Sequence, residues 1–262
     1  MKEAVRDRNR ISRWMAVWLA ASGLAAMAGC DLGGTYHKRM AVSAQEVGRK
    51  AVFSTLLHAS ETPVMDEALK PTGVTFRLPA SLDDKSKALA VAESRAQPSM
   101  VKLPGLSYCV ERLMDDNAGK FAPLYCYVGA VAKGDQKAEA FQAQVQQQVA
   151  GAFATAKWQE FSVPTPQGSA LPVKLLMVEG PQDFDLAQMK GAVEKLDGRL
   201  DMYFYETPGH FVLIGFRGPK AQAAKYQFFD AAKASVGTLK AEPVAPAAAT
   251  PPADAPAPVP PA

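Results

Sequence analysis

The side chains of this sequence that are suited to metal binding or catalysis do not form known arrangements. Three histidines are scattered along the chain and do not complete a metal-ligand set: His37, His58 and His210. The acidic pairs Asp83-Asp84 and Asp115-Asp116 lie in polar stretches, whereas a general acid needs burial to raise its pKa. No serine occupies a Gly-x-Ser-x-Gly elbow. We therefore predict no catalytic, metal-binding or cofactor-binding residues, and a protein that is not an enzyme.

Cys30 follows a segment with the order of a secretory signal. Residues 1–13 carry five basic and two acidic side chains, and residues 14–29 are uncharged and mostly apolar. This run is short for a retained transmembrane helix, which needs roughly 20 predominantly apolar residues. Met27-Ala28-Gly29-Cys30 resembles the lipobox of bacterial lipoproteins. The resemblance implies cleavage between Gly29 and Cys30 and lipid on the Cys30 thiol; the alternative is an ordinary signal followed by a buried or disulfide-bonded cysteine.

Asp31 bears on which membrane would hold the protein. By resemblance to enterobacterial lipoproteins, an aspartate directly after the lipidated cysteine opposes export to the outer membrane. Each buried methylene of an acyl chain contributes ~0.8 kcal/mol to membrane binding, so that a single chain binds only marginally. Two or three chains anchor a protein stably. We therefore expect attachment through Cys30 to the periplasmic face of the inner membrane, with the outer membrane as the alternative.

The excess of basic over acidic residues lies entirely in the predicted signal peptide. The whole sequence has 29 Lys and Arg against 26 Asp and Glu, and the first 29 residues hold five of the former and two of the latter. Residues 30–262 therefore carry 24 of each. Because the mature chain is neutral, we expect no nucleic-acid partner.

Cys109 and Cys126 are left once Cys30 is lipidated. Both lie in segments typical of strands, and the stretch between them contains Asp116 and Gly119, which suit a hairpin turn. In an oxidising compartment the pair is a candidate for a cross-strand disulfide, which would contribute ~3 kcal/mol. The alternative is two free buried thiols.

The sequence predicts four regions. Residues 1–29 form the signal peptide, residues 30–65 the anchor, tether and a short helix, and residues 66–240 one α+β domain. Residues 241–262 hold eight of the 20 prolines, with alanines between them, and are expected to be a disordered tail. The tail is either a passive spacer or a proline-rich ligand, although no basic residue stands beside its prolines to orient docking.

Hydrophobic periodicity and turn residues place the elements. The predicted helices are 46–58, with Ser43 in a capping box, 82–96, 136–153, with Asp135 as N-cap, and a last helix starting at Pro219. The predicted strands are 73–79, 106–114, 121–131, 157–163, 173–179, 199–206 and 211–217. Together they predict an α+β fold with a single, mostly antiparallel sheet of six to seven strands flanked by helices.

Side-chain patterns indicate which faces are buried. Phe141, Val145, Val149 and Phe153 recur every four residues and form an apolar stripe, although the surrounding glutamines could instead form a partner-binding face. In the strand 199–206, Leu200, Met202 and Phe204 share one face, and Asp201, Tyr203 and Tyr205 share the other. The segment 211–214 is apolar at every position, which favours a central strand covered on both faces.

Two segments resemble the PsbP-like fold, which bacterial lipoproteins of the DcrB type share. They are Gly73-Val74-Thr75-Phe76-Arg77-Leu78-Pro79, and the end segment from Phe211-Val212-Leu213-Ile214 through Phe228 to Ala234-Ser235-Val236. The resemblance covers most of residues 73–239 and is one of pattern. It implies a docking or assembly module rather than an enzyme, although fold alone does not transfer function.

The expected function is that of a membrane-anchored envelope lipoprotein acting as a non-enzymatic interaction or assembly module. Its partner is expected to be another protein of the envelope. The alternative is an envelope hydrolase, or a sugar- or peptide-binding protein, whose site residues are dispersed. For a binding role, Tyr127, Tyr203 and Tyr205 are the candidates to line a ligand face, because tyrosine offers an apolar ring with a polar tip.

Overall fold

The structure, a computed structural model, describes residues 31–59, 72–82, 87–89, 103–150, 156–185 and 193–241. In chain order the elements are α1 (Asp31–Leu56), β1 (Val74–Thr75), β2 (Lys87–Leu89), β3 (Leu106–Asp115), β4 (Phe121–Ala132), α2 (Ala138–Ala150), β5 (Trp158–Pro164), β6 (Ala170–Asp185), β7 (Val193–Glu206), β8 (His210–Pro219), α3 (Lys220–Lys225), α4 (Phe228–Gly237) and β9 (Lys240–Ala241). Two units are distinguished, Met1–Gly48 and Arg49–Ala262, and the elements from β1 to β9 belong to the second.

Seven strands form one antiparallel sheet in the order β2-β3-β4-β8-β7-β6-β5. The hairpins β3–β4, β5–β6 and β7–β8 supply six of these strands, and each of them contains the strands that the sequence predicts. The short strands β1 and β9 pair with each other, Val74 opposite Ala241 and Thr75 opposite Lys240. The predicted α+β class, with a single antiparallel sheet of six to seven strands flanked by helices, is confirmed.

Strand β8 shows why both faces of the sheet are apolar. Phe211 and Leu213 point to one face, and Val212 and Ile214 point to the other, and all four are at most 1% exposed. Burying each such side chain stabilises the fold by about 1.5–3 kcal/mol. The predicted central position of this segment, covered on both sides, is confirmed.

Different helices cover the two faces. On the first, here called the α2 face, the predicted stripe of helix α2 packs on β6, β7 and β8 through Phe141, Val145 and Val149. The Phe141 ring lies 5.0 Å from the Phe211 ring. On the second, the α3–α4 face, Phe228 lies 6.0 Å from Phe216, measured between ring centroids. The predicted alternation along β7 is also confirmed, because Leu200, Met202 and Phe204 lie on the α2 face and Tyr203 and Tyr205 on the other.

The segment before β2 follows its predicted period although little of it is paired. Val74, Phe76 and Leu78 are buried, whereas Thr75 and Arg77 are partly exposed. Only Val74 and Thr75 pair with β9, and Pro79 makes an isolated bridge to Leu57. The burial pattern is therefore that of a strand over a longer stretch than the hydrogen-bonded ladder.

Four local predictions are wrong. Lys87–Leu89, predicted as helix, pairs with β3 as a strand, so tertiary contact overrides helix propensity. Ser43 does not cap a helix, because α1 already begins at Asp31. Asp135 is not the N-cap of α2, because that helix starts at Ala138. The last helix breaks into α3 and α4 at Gln227, whose φ of 51° is left-handed.

Candidate functional site

The β6–β7 hairpin continues past the end of β8 as an arm. The last pair between β7 and β8 joins Gly198 to Pro219, and beyond it Pro181–Asp185 pair only with Val193–Asp197. We call these paired segments the arm. A Cβ atom on Gly198 would lie 2.8 Å from Phe184 Cζ and 3.0 Å from Gln182 Cδ. The arm therefore bends back over the α2 face, and glycine at position 198 leaves the space that it occupies.

The bend occurs at a pair of glycines that face each other across the hairpin. Gly180 is the cross-strand partner of Gly198. Its φ of 134° is a backbone conformation that residues with a Cβ atom rarely adopt. The two glycines are thus required for different reasons, one for backbone conformation and the other for space.

The arm covers Arg217, which is fully buried on the α2 face of β8. Its Nε atom donates to Gln182 Oε1 at 2.8 Å, and its Nη2 atom donates to the Asp183 carbonyl at 2.6 Å. The guanidinium carbon lies 4.2 Å from the centre of the Phe184 ring, and 5.8 Å from that of Tyr125. Three consecutive residues of the arm therefore hold one arginine of the sheet by hydrogen bonds and a cation–π contact.

Four buried polar atoms around this arginine make no hydrogen bond of normal geometry in the described part of the chain. They are Arg217 Nη1, Gln182 Nε2, Tyr125 Oη and Tyr127 Oη, and they are four of the six such side-chain atoms found there. We call these four residues the Arg217 cluster. All four atoms can donate a hydrogen bond. Because an unsatisfied buried polar group costs about 1–3 kcal/mol, their concentration in one place demands an explanation.

The cluster carries a positive charge and stays protonated. Both acceptors that Arg217 contacts are uncharged, the Gln182 amide and the Asp183 carbonyl. Burial raises the pKa of Tyr125 far above its ordinary value of 10, helped by the nearby Tyr127 and Glu111 and opposed by Arg217. Burial likewise raises the pKa of Tyr127, and Arg217 opposes that shift through its charge and through a contact with the Tyr127 hydroxyl that falls short of normal hydrogen-bond geometry. At neutral pH the cluster can therefore donate hydrogen bonds to an anion but is not equipped to accept a proton.

A second buried charge lies on the α3–α4 face and is fully matched. Asp201 is 1% exposed, and both of its oxygens accept hydrogen bonds from Arg199, each at 2.7 Å. Burial raises the pKa of Asp201 and the adjacent Arg199 opposes the rise. The Arg199 guanidinium also stacks on Phe229 at 4.6 Å and lines a surface groove of about 400 Å³. These groups satisfy one another, which is the pattern of a structural ion pair.

The predicted disulfide is not formed. Cys109 is opposite Tyr127 and lies on the α2 face, whereas Cys126 is opposite Val110 and lies on the α3–α4 face. The two thiols are free and buried, with the sheet between them. Burial raises the pKa of the Cys126 thiol, with a contribution from Cys109. The alternative interpretation, two free thiols, describes the structure.

The predicted tyrosine ligand face is wrong as well. Tyr127 lies on the α2 face, and Tyr203 and Tyr205 lie on the opposite one. Tyr127 and Tyr203 are only 1–2% exposed, so neither offers a ring to the surface. Tyr127 nevertheless belongs to the Arg217 cluster through its hydroxyl group.

The remaining candidate residues have local roles or lie outside the described residues. Asp116 Oδ1 accepts from the Ala118 and Lys120 amides within the β3–β4 turn, and Asp115 pairs with Lys225 at 2.6 Å. His58 Nε2 contacts the Leu82 carbonyl at 3.0 Å. Gly29, Cys30 and the pair Asp83-Asp84 lie outside the described residues, as do residues 242–262 of the predicted tail. Asp31 is the first residue of α1.

The described residues contain neither a cluster suited to a metal ion nor a helix suited to span a membrane. In those ranges, no group of three histidine, cysteine or acidic side chains could hold a metal ion. No helix among them combines the length and hydropathy needed to cross a membrane.

Sequence reasoning missed Arg217 and Gln182 as site residues. A signal was present for the first, because Arg217 ends a strand that was expected to be covered on both faces, where an arginine needs partners. No comparable signal marks Gln182, which lies beyond the predicted end of its strand. No protein-family model matches the chain, and no curated protein matches its sequence at the significance required.

Proposed function

We propose that the protein is a lipid-anchored lipoprotein of the bacterial envelope whose folded body is a non-enzymatic interaction module. The anchor is supported by the basic and apolar order of residues 1–29 and by Met27-Ala28-Gly29-Cys30. The binding role is carried by one observation, the set of spare hydrogen-bond donors gathered around Arg217.

The groups of the body suit binding better than turnover. Tyr125 and Tyr127 remain protonated because burial raises their pKa, and a protonated hydroxyl is not a general base. Burial keeps the Cys126 thiol protonated, and a thiol is a weak nucleophile compared with a thiolate. The Asp201 carboxylate is occupied by Arg199. None of these groups is thus held in a state that would activate a ligand.

The proposed docking role also draws on the PsbP-like resemblance. That resemblance is supported by the observed order of the strands β1 and β2, the β3–β4 hairpin, helix α2, four strands and the helices α3 and α4. Helices and the arm cover both faces of the sheet, so the proposed partner would not lie flat on it. The arm and the residues beneath it are the proposed place of contact.

The anchor is tested by Cys30→Ser in intact cells. The native protein should fractionate with the inner membrane, and the variant should remain uncleaved or lack lipid. Asp31→Asn is the matched control, because it should keep the lipid but send the protein to the outer membrane. A Cys30→Ser protein that is still cut and still membrane-bound like the native chain would overturn the anchor.

The interaction role is tested by crosslinking in intact cells followed by mass spectrometry. The reference is a protein that carries only residues 1–31 of this chain fused to an unrelated soluble domain. Envelope proteins enriched by the native chain over this reference support the role, and none enriched would refute it. Saturable turnover of an envelope substrate by the purified lipoprotein would instead establish the hydrolase alternative.

A further inference from the structure

We propose that the Arg217 cluster binds an oxyanion, a carboxylate or phosphate group, which the arm covers. This inference rests on the proposed binding function and names the chemical class of its ligand.

The first step is the kind of groups that are left over. Arg217 Nη1 and Gln182 Nε2 are donors without acceptor capacity, and the Tyr125 and Tyr127 hydroxyls can both donate. An oxyanion offers several lone pairs on two or more oxygens, so one ligand can accept from several of these donors together. Hydrogen bonds between a charged group and its partner are also the strong ones, about twice the strength of neutral pairs.

The second step is that the donors are neighbours of one arginine. Gln182 already holds Arg217 Nε at 2.8 Å, and the Tyr125 ring lies 5.8 Å from the guanidinium carbon. The Tyr125 and Tyr127 rings are 5.7 Å apart and stacked. All four side chains are at most 2% exposed, so an anion among them would be removed from water, where its attraction to the guanidinium is strongest.

The third step is that the charge lacks a direct counterion in the described residues. The guanidinium contacts an amide oxygen, a carbonyl oxygen and the Phe184 ring. Glu111, the cross-strand neighbour of Tyr125, acts electrostatically on both tyrosines. A buried cation is stable when it is paired and hydrogen-bonded, and a bound oxyanion would supply both.

The fourth step is access. The cluster is closed to solvent, and Gln182, Asp183 and Phe184 of the arm form its cover. The ligand therefore enters when the arm lifts, and the glycine pair Gly180 and Gly198 marks where the hairpin bends. Closing the arm restores its contacts with Arg217 and excludes water from the bound group.

The test is calorimetric titration of the purified lipoprotein with inorganic phosphate and, separately, with acetate. Sodium chloride keeps the ionic strength constant, so that general screening does not contribute. Tyr125→Phe combined with Tyr127→Phe removes the two hydroxyls and keeps the rings and the arginine. Tyr205→Phe, the same change on the opposite face, is the matched control. Saturable binding of either anion identifies whether the ligand group is a phosphate or a carboxylate.

We expect the double variant to bind the anion at least about tenfold more weakly, because each hydroxyl would lose a bond to a charged acceptor. The Tyr205→Phe variant should bind like the native protein. Without anion, the double variant should melt close to the native temperature, because the two rings and the arginine are kept. A second readout is the NMR signal of the Arg217 side chain, which is identified as the one that disappears in Arg217→Lys. In the native protein, the anion should shift this signal.

The inference is overturned if the native protein binds neither anion at millimolar concentration, or if the double variant binds as tightly as the native chain. An arginine signal that does not move during the titration would overturn it equally. Loss of anion binding together with retained crosslinks to envelope proteins would reject the ligand class and leave the interaction role standing. Anion binding without any crosslinked partner would support the ligand class and reject the interaction role.

Discussion

Two buried charges lie almost back to back in the middle of the sheet, and their surroundings differ. Asp201 on β7 pairs with Phe216 on β8, the residue before Arg217. The Asp201 carboxylate faces helices α3 and α4 and is matched by the two nitrogens of Arg199. Arg217 faces the opposite side and keeps spare donors around it. A buried charge by itself is therefore poor evidence for a binding site, and an excess of donors over acceptors is much better evidence.

The largest expected effect comes from breaking the matched pair. Arg199→Ala would leave the buried Asp201 carboxylate without its cation, which should lower the free energy of unfolding by about 3 kcal/mol. This loss is at the lower end of the range for removing one partner of a buried ion pair, because the Arg199 side chain is 30% exposed. Urea unfolding measures it. Glu179→Gln is the control, since that carboxylate is 44% exposed and 3.7 Å from Arg199, and it should cost less than about 1 kcal/mol. Equal losses in both variants would contradict the contrast.

The same variant should respond to pH in a defined direction. The pKa of Asp201 is raised above its ordinary value of 3.8, so the folded state binds this proton more tightly than the unfolded state does. The contribution of Asp201 to stability therefore falls as pH rises from 3.8 through the folded pKa. Removing Arg199 takes away a group that opposes this rise. The destabilisation caused by Arg199→Ala should consequently shrink in mild acid, and a loss that grows in acid would contradict the assignment.

An intermediate effect is expected where the arm meets the sheet. Gly198→Ala would place a Cβ atom 2.8 Å from Phe184 Cζ, so the arm must shift away from Arg217. We expect a loss of about 2 kcal/mol in urea unfolding and faster amide exchange in the arm. Gly209→Ala is the control, because a Cβ atom there meets nothing within 4 Å, and it should change stability by less than about 0.5 kcal/mol. Unchanged exchange in Gly198→Ala would show that the arm does not depend on this glycine.

A reducing agent should leave the urea midpoint unchanged, which is the smallest of the expected effects. Cys109 and Cys126 are free thiols on the two different faces, so a reductant has no bond between them to break. A disulfide would have contributed about 3 kcal/mol, and its reduction would shift the urea midpoint visibly. The comparison is unfolding with and without reductant, backed by non-reducing mass spectrometry of a digest. A shifted midpoint would contradict the observed register.

The sequence predicted the hairpins well because each is short-range and strongly patterned. The β7–β8 hairpin follows from alternation along β7, from the apolar run at 211–214 and from the turn residues between them. The apolar stripe of α2 was predicted for the same reason. Strand β2 was not predicted. It forms by pairing with β3, and the residues of β2 by themselves give no sign of that tertiary contact.

The cysteine pair shows how little information separates a correct register from a wrong one. Asp115 pairs with Phe121, and the turn between them closes through a hydrogen bond from the Asp116 amide to the Lys120 carbonyl. A turn shorter by one residue would place Cys109 opposite Cys126 on one face. The observed turn places Cys109 opposite Tyr127 instead. Both segments look equally strand-like in either register, so composition could not decide between them.

The Arg217 cluster was beyond reach for a different reason. Its members come from β4, β6 and β8, and it exists only because the arm bends back at Gly180 and Gly198. An isolated glycine inside a strand indicates a bend or a close approach, but it does not say which surface is approached. Arg217 and Gln182 are 35 residues apart, and no local pattern joins them.

The small ladder between β1 and β9 has a mechanical consequence. Val74, where the chain enters β1, stands opposite Ala241, where it leaves β9. Tension applied between the segments before and after this ladder pulls its two strands apart from the same end. Such a load peels the pairs one after the other, Val74 from Ala241 and then Thr75 from Lys240, instead of shearing them together. The ladder should therefore yield at low force, before tension reaches the seven-stranded sheet and its buried arginine.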